Sequence, residues 1–324
     1  MKKKIWAMTI AVCFALGVAG CANRAESNGP ASETAVESTS VKSEEATGPA
    51  KASESAAVKS EASAQNKETA DTEVTSENRK EEADMQTTDF DIGGVKFRMV
   101  LVEHGSFTMG SDNMNVAFSE SPAHPVTLTE DYLIGETEVT EALWNAVTGG
   151  KGGSSDLPKT SVTWRQASDF TDQLTQAARE QGLIDSSVRF ALPTEAQWEF
   201  AAKGGNLSKG YLYSGSNNID DVAVTRENSG SDSPIQVKTK QPNELGIYDM
   251  SGNAYEWVEA AAEDYSADAQ TDPVSHPDGI YVKRGGSNYH SFSSEPYLFT
   301  TTGRYFYSST DWTIGFRLAL IYEQ

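Results

Sequence analysis

The residues that most often carry chemistry are scarce in this chain. Its 324 residues hold two cysteines, Cys13 and Cys21, both near the N-terminus, and four histidines, His104, His124, His276 and His290. The histidines show no metal-ligand spacing, and His124, enclosed in Pro-Ala-His-Pro, reads as a structural histidine. There is no nucleophile elbow, phosphate loop or Cys/His pair. The side chains able to act on another molecule gather instead in residues 284–317, RGGSNYHSFSSEPYLFTTTGRYFYSSTDWTIGFR. Tyrosine offers a large amphipathic contact area at low entropic cost, and small polar neighbours adapt their hydrogen bonds, so this mixture suits recognition. The expected ligand-binding residues are Asn288, Tyr289, His290, Ser291, Phe292, Tyr297, Phe299, Tyr305, Tyr307, Asp311 and Trp312. Some of these aromatics must belong to the core of a strand-rich region. Alternation places Tyr305 and Tyr307 on one face of a strand and Phe306 on the other.

Both cysteines fall in a secretory signature. Lys2, Lys3 and Lys4 are followed by an apolar run from Ile5 to Val18, short for a membrane span. It ends in Val18-Ala19-Gly20-Cys21, which resembles the bacterial lipobox, in which the cysteine is lipidated and becomes the mature N-terminus. A diacylglycerol thioether with an N-acyl chain anchors stably. The expected product is an exported lipoprotein with no free thiol, held at the membrane through Cys21. Ala22 follows where an aspartate would signal inner-membrane retention, which favours the outer membrane and the cell surface.

From residue 22 to 88 the chain is rich in Ser, Ala, Glu and Thr, and no aromatic residue appears before Phe90. Such a segment buries too little apolar area to offset its ordering entropy and is expected to act as a disordered tether. It contributes 14 of the 47 acidic residues behind the formal net charge of -21. That balance argues against nucleic acid, whose binding needs a basic footprint.

The elements that must position the 284–317 segment lie in residues 89–324, one domain's worth of chain. Alternation predicts a strand from Val95 to Val102 and a second around Gly105 to Ser111. Helices are expected over Val139–Val147, Trp164–Glu180 and Glu195–Lys203. The second has a capping box of Thr163 and Gln166, an apolar face of Ala167, Phe170, Leu174 and Ala177, and Gly182 as its stop. The third repeats the box with Thr194 and Gln197, and stops at Gly204-Gly205. Beyond it the chain is loop-rich, with strand candidates at Ile280–Lys283 and Phe316–Tyr322.

Six blocks occur in order: FTMGS from Phe107, PAHPV from Pro122, EVT from Glu138, LPTEAQWEF from Leu192, NELGIYDMSGNAYEW from Asn243, and RGGS closing with IGFR. In type and order they resemble the formylglycine-generating enzyme (sulfatase-modifying factor) family. The resemblance implies an α+β class, a C-type lectin-like fold forming one irregular, loop-rich domain with a few helices and short strands. It also implies a structural calcium ion on Asp249, Gly252, Ala254 and Glu256. Hard oxygen donors from a glycine turn and two carboxylates suit that ion. Asp221 and Val222 match a second such site loosely.

The oxidase members of the family bind copper through two cysteines that follow RGGS. Alignment from Arg284 puts His290 and Glu295 at those positions. A histidine and a glutamate cannot form the bis-thiolate site that soft cuprous ion prefers. The histidine-bearing helical domain of iron-dependent relatives has no counterpart here. Neither copper nor iron is therefore expected, and the chain is read as no enzyme.

A second resemblance is to the variable proteins of diversity-generating retroelements. These use the same lectin-like domain, lack the cysteines, and vary just before a terminal IGFR-like strand. Randomised adenines in asparagine codons cannot yield Lys, Gln, Glu, Met or Trp. From residue 287 to 313 only Glu295 and Trp312 belong to that set. The first reading is thus a displayed binder of a protein or glycan outside the cell, diversified over 284–317. Two rivals stay open: a fixed glycan-binding or envelope scaffolding lipoprotein of the same fold, and a divergent oxidoreductase.

Overall fold

The alternating run after Phe90 forms the second strand of a hairpin whose first strand starts earlier than the composition change. The computed structural model describes residues 86–113, 118–150, 155–276 and 279–323. The secretory segment, Cys21 and nearly all of the expected tether lie outside them. Strand β1 (Thr87–Ile92) pairs antiparallel with β2 (Val95–Val102), so Thr87 and Thr88 are paired with Val100 and Met99 rather than belonging to a tether. No helix among the described residues is long and apolar enough to cross a membrane.

Three sheets follow. The largest adds β5 (Tyr132–Gly135), β12 (Ala319–Tyr322) and β6 (Val188–Ala191), in the order β1-β2-β5-β12-β6. A three-stranded sheet joins β3 (Gly105–Met109), β4 (His124–Leu128) and β8 (Gln270–Thr271). The third carries the segment of interest: β10 (Arg304–Tyr307), β9 (Tyr281–Arg284), β7 (Tyr255–Ala261) and β11 (Ile314–Phe316), in that order, with β11 parallel to β7. The single strand expected over Phe316–Tyr322 is two strands in two sheets. Arg317 and Leu318 form the joint between them, and both are buried there.

Helix α1 (Glu141–Thr148) begins two residues later than expected, because the Thr140 side chain caps it, and ends at Gly149 in the left-handed region. Helix α2 (Trp164–Glu180) has the expected capping box; its buried face is Ala167, Phe170, Leu174 and Ala178, with Ala177 only half-buried. Helix α3 (Glu195–Ala202) has the same box and is almost wholly buried, Glu195 and Glu199 included. A one-turn helix, α4 (Ile219–Val222), was not expected. There the Asp221 carboxylate accepts from Ser216 and Asn218, and the Val222 side chain is core.

The main core lies where α1 and α2 cover the large sheet, with Phe170, Phe190, Leu174, Trp257 and Phe316 at its centre. Trp144 stacks on Phe170 at 5.0 Å and meets Phe316 edge-on. A second core packs α3 against β2, β4, β5 and β7 through Trp198, Phe200, Ile134 and Val258. A small third core, of Tyr213, Ile219, Val222, Leu298 and Phe299, lies under the loop that follows β9.

Candidate functional site

Three arginines fix the course of the C-terminal segment. Arg284, at the end of β9, is fully buried: its guanidinium donates to Glu199 at 2.6 Å, to Glu195 at 3.1 Å and to the carbonyls of Thr301 and Thr302, with Trp198 beneath it. Arg304, at the start of β10, forks onto Glu195 at 2.7 and 3.0 Å and donates to the carbonyls of Ser119 and Glu263. Arg317 forks onto Glu256 at 2.6 Å through two nitrogens and donates to the carbonyls of Gly135 and Tyr248. Burial works against each charge, yet the facing carboxylates raise all three arginines above their ordinary range. Bidentate geometry and added carbonyl acceptors are what such buried pairs require.

The two glycines after Arg284 are needed in place. Both have positive φ, and a side chain on Gly286 would stand 2.9 Å from the carbonyl of Leu298. The chain then leaves the sheet, runs over the third core and returns as β10.

On this frame the loops present their side chains unequally. Tyr289 is 47 % exposed and Trp312 41 %, and their rings meet edge-on at 5.0 Å, with Arg226 over Tyr289. Ser293 and Ser294 are exposed; Ser291, Phe292, Tyr297 and Asp311 are half-buried. His290 and Glu295 are brought together, Nδ1 to Oε2 at 3.1 Å, and His290 packs against Tyr255 and Tyr289. The positions aligned with the copper thiolates thus meet in space as an imidazole–carboxylate pair. Glu227 pins the loop: despite a desolvation penalty, hydrogen bonds from Ser291 Oγ and the amides of Phe292 and Ser293 bring its carboxyl down to about 2. Asp311 closes its own turn onto the amide and hydroxyl of Thr313.

Two of the expected contact residues, Phe299 and Asn288, are corrected, and Tyr305 and Tyr307 are half-buried. Phe299 is fully buried in the third core, because the turn of 3-10 helix at Pro296–Phe299 points it inward. Asn288 is fully buried and bonded to the backbone of Ser231 and Asn253. Tyr305 and Tyr307 do share one face, but it is the inner one, packed on the main core, and Phe306 faces outward at 38 % exposure. The alternation had located Phe306 on the other face; only the sheet's neighbours decide which face is wet. Arg226, Glu227, Tyr255 and Lys283 were missed, and no local spacing marks them, since they reach the site from other strands and loops.

The proposed calcium residues divide. Both Glu256 oxygens are committed to Arg317 and to Trp198 Nε1 at 2.7 Å. Asp249, held at positive φ, accepts from the Lys238 amide through one oxygen, while its other oxygen is buried without a partner. Glu138 likewise has one oxygen bonded to Asn253 and one buried and unpartnered. Burial, together with the neighbouring carboxylates, pushes Asp249 up to about 6 and Glu138 well above the ordinary range. Orphaned carboxylate oxygens of this kind fit a cation; Glu256 does not fit the role the resemblance gives it. Among the described residues no group of three or more His, Cys, Asp or Glu side chains is arranged to hold a metal. His124 is buried as expected, its Nδ1 3.1 Å from the Pro122 carbonyl and its ring against Tyr265.

With this geometry in place, the chain's relatives can be compared with it. The model of the sulfatase-modifying factor enzyme 1-like domain matches residues 95–321. Chaperone protein LppX of Paenibacillus barcinonensis is 31% identical over 204 residues, 49% of this chain and 70% of that protein. The formylglycine-generating enzyme of Streptomyces coelicolor is 30% identical over 166 residues, 46% of this chain and 48% of the enzyme, so the match spans about half its length. Among solved structures, Treponema denticola variable protein 1 superposes with a TM-score of 0.61 at 29% identity, over 72% of this chain and 98% of that one. The variable protein therefore shares the fold on which Arg284, Arg304 and Arg317 stand. The chain belongs to the family of sulfatase-modifying factor enzyme 1-like domains.

Proposed function

We propose that this chain is an exported lipoprotein, anchored through Cys21 on the outer membrane, that binds a protein or glycan outside the cell through residues 284–317 and catalyses no reaction. The observation that carries the reading is the contrast within that segment. Its arginines are buried and each is ion-paired to a glutamate, while Tyr289, Phe306 and Trp312 between them stay exposed. Exposed aromatics on a rigid frame are what a binding surface needs, since anchors held in place lose little entropy on association. The likeness to a variable protein supports diversification of the same loops. The thiolate positions are taken by His290 and Glu295, which supports a non-catalytic role.

The DNA beside the gene tests this. A reverse transcriptase and a near-repeat of the codons for Tyr281 to Arg317, differing only at adenines, is the expected finding; their absence would leave no source of diversity. The second reading is a fixed envelope lipoprotein, favoured by the likeness to a relative named a chaperone.

We also propose that calcium supports the frame through Asp249 together with Glu138, whose free oxygens supply the hard donors it takes. Calcium should raise the thermal midpoint of the full chain, and Asp249→Ala should remove the response.

A further inference from the structure

The geometry points to an anion-binding subsite at Lys283, and we infer that the ligand of this surface presents a carboxylate to it. This specifies the binding reading above and rests on it. Lys283 stands in β9 directly across from Tyr305 on one side and Trp257 on the other. It is 9 % exposed, and its Nζ lies 4.0 Å from the ring centre of Tyr255 and 4.5 Å from that of Tyr307. The buried arginines beside it each hold a carboxylate; Lys283 has no carboxylate within ion-pairing distance and no hydrogen-bond acceptor among the described residues. Asp311 favours its charge only from a distance, with its Oδ1 turned to Thr313.

The cross-strand neighbour repeats the pattern. The Tyr305 hydroxyl is buried without a hydrogen-bond partner. Burial keeps that phenol neutral, far above its ordinary range, so what it offers is an O–H donor. An ammonium and a phenol on one sheet face, both unpartnered, call for an acceptor. Tyrosine faces compensate a desolvated cation only in part, and an unmade buried hydrogen bond is unfavourable. A sugar hydroxyl could satisfy Tyr305, but only an anion would neutralise Lys283, and a carboxylate has two oxygens that accept. Tyr255, over which Lys283 lies, packs on His290, and His290 packs on the exposed Tyr289.

The test uses the full chain with its lysines reductively 13C-methylated, which keeps their charge. Two tyrosine faces at these distances displace the Lys283 methyl resonance from those of exposed lysines, and Lys283→Met confirms it by its loss. Acetate is titrated at constant ionic strength, with acetamide as the neutral control and sulfate as the tetrahedral one. A saturable shift of that resonance with acetate in the millimolar range, absent with acetamide and reduced several-fold in Tyr305→Phe, is expected. No saturable shift, an equal shift with acetamide, or a stronger response to sulfate would overturn the assignment. If Lys283→Met does not fold, the ring-shifted resonance of the unsubstituted chain still decides. The titration does not depend on whether residues 284–317 vary, so this inference and the diversified-binder reading can fail separately.

Discussion

Two parts of one segment behave as opposites. Arg284, Arg304 and Arg317 are buried against Glu195, Glu199 and Glu256, each with at least two further acceptors or ring contacts. A few residues away, Tyr289, Phe306 and Trp312 lie at the surface with ring contacts and no structural hydrogen bond to lose. The comparison teaches how a loop can tolerate change. Its course is set by charged anchors and by buried residues such as Asn288 and Phe299, so the exposed side chains Tyr289, Phe306 and Trp312 carry little structural duty. The anchors do not depend on what stands at residues 290 and 295.

The largest effects should come from breaking the frame. Arg317→Ala leaves Glu256 buried with its charge unpaired and should lower stability by roughly 3–5 kcal/mol in chemical denaturation. Phe299→Ala, within the segment yet in the third core, should cost about 3 kcal/mol; a change near zero would return Phe299 to the surface set.

Loop anchoring is the intermediate case. Because the carboxyl of Glu227 is held at about 2 in the folded chain against an ordinary 4.5, its contribution is present above 4.5 and is lost as pH falls towards 2. Hydrogen exchange at the amides of Phe292 and Ser293 should quicken across that window, and Glu227→Gln should show the faster exchange already at neutral pH. Unchanged protection would mean that the loop holds its shape without this carboxylate. The smallest effect on stability should come from Tyr289→Ala and Trp312→Ala, each within about 0.5 kcal/mol of the parent, although binding of ligand should be lost. A loss of stability as large as that of Arg317→Ala would abolish the distinction between frame and surface.

Much of this frame was legible in the sequence. The capping boxes at Thr163 and Thr194 marked two helices, because a side chain placed three residues ahead of its partner is a local signal. The six ordered blocks located the fold and the RGGS and IGFR brackets. The burial of individual aromatics was not legible. Tyr305, Phe306 and Tyr307 alternate in either orientation, and only Tyr255, Trp257 and β9, distant in sequence, fix the tyrosines inward. The joint at Arg317 was missed for the same reason, since a largely apolar run does not show that Ile314–Phe316 and Ala319–Tyr322 pair in different sheets. The unpartnered oxygen of Glu138 meets Asp249 across more than a hundred residues of chain, beyond any spacing rule.

The central claim is that residues 284–317 combine an invariant buried frame with a changeable exposed surface. Deep sequencing of this segment across independent isolates tests it most directly. Substitutions should concentrate at Tyr289, Ser293, Ser294 and Phe306, with Arg284, Arg304 and Arg317 unchanged. An identical segment in every isolate, or changes falling as often on Arg304 and Phe299 as on Tyr289, would contradict it.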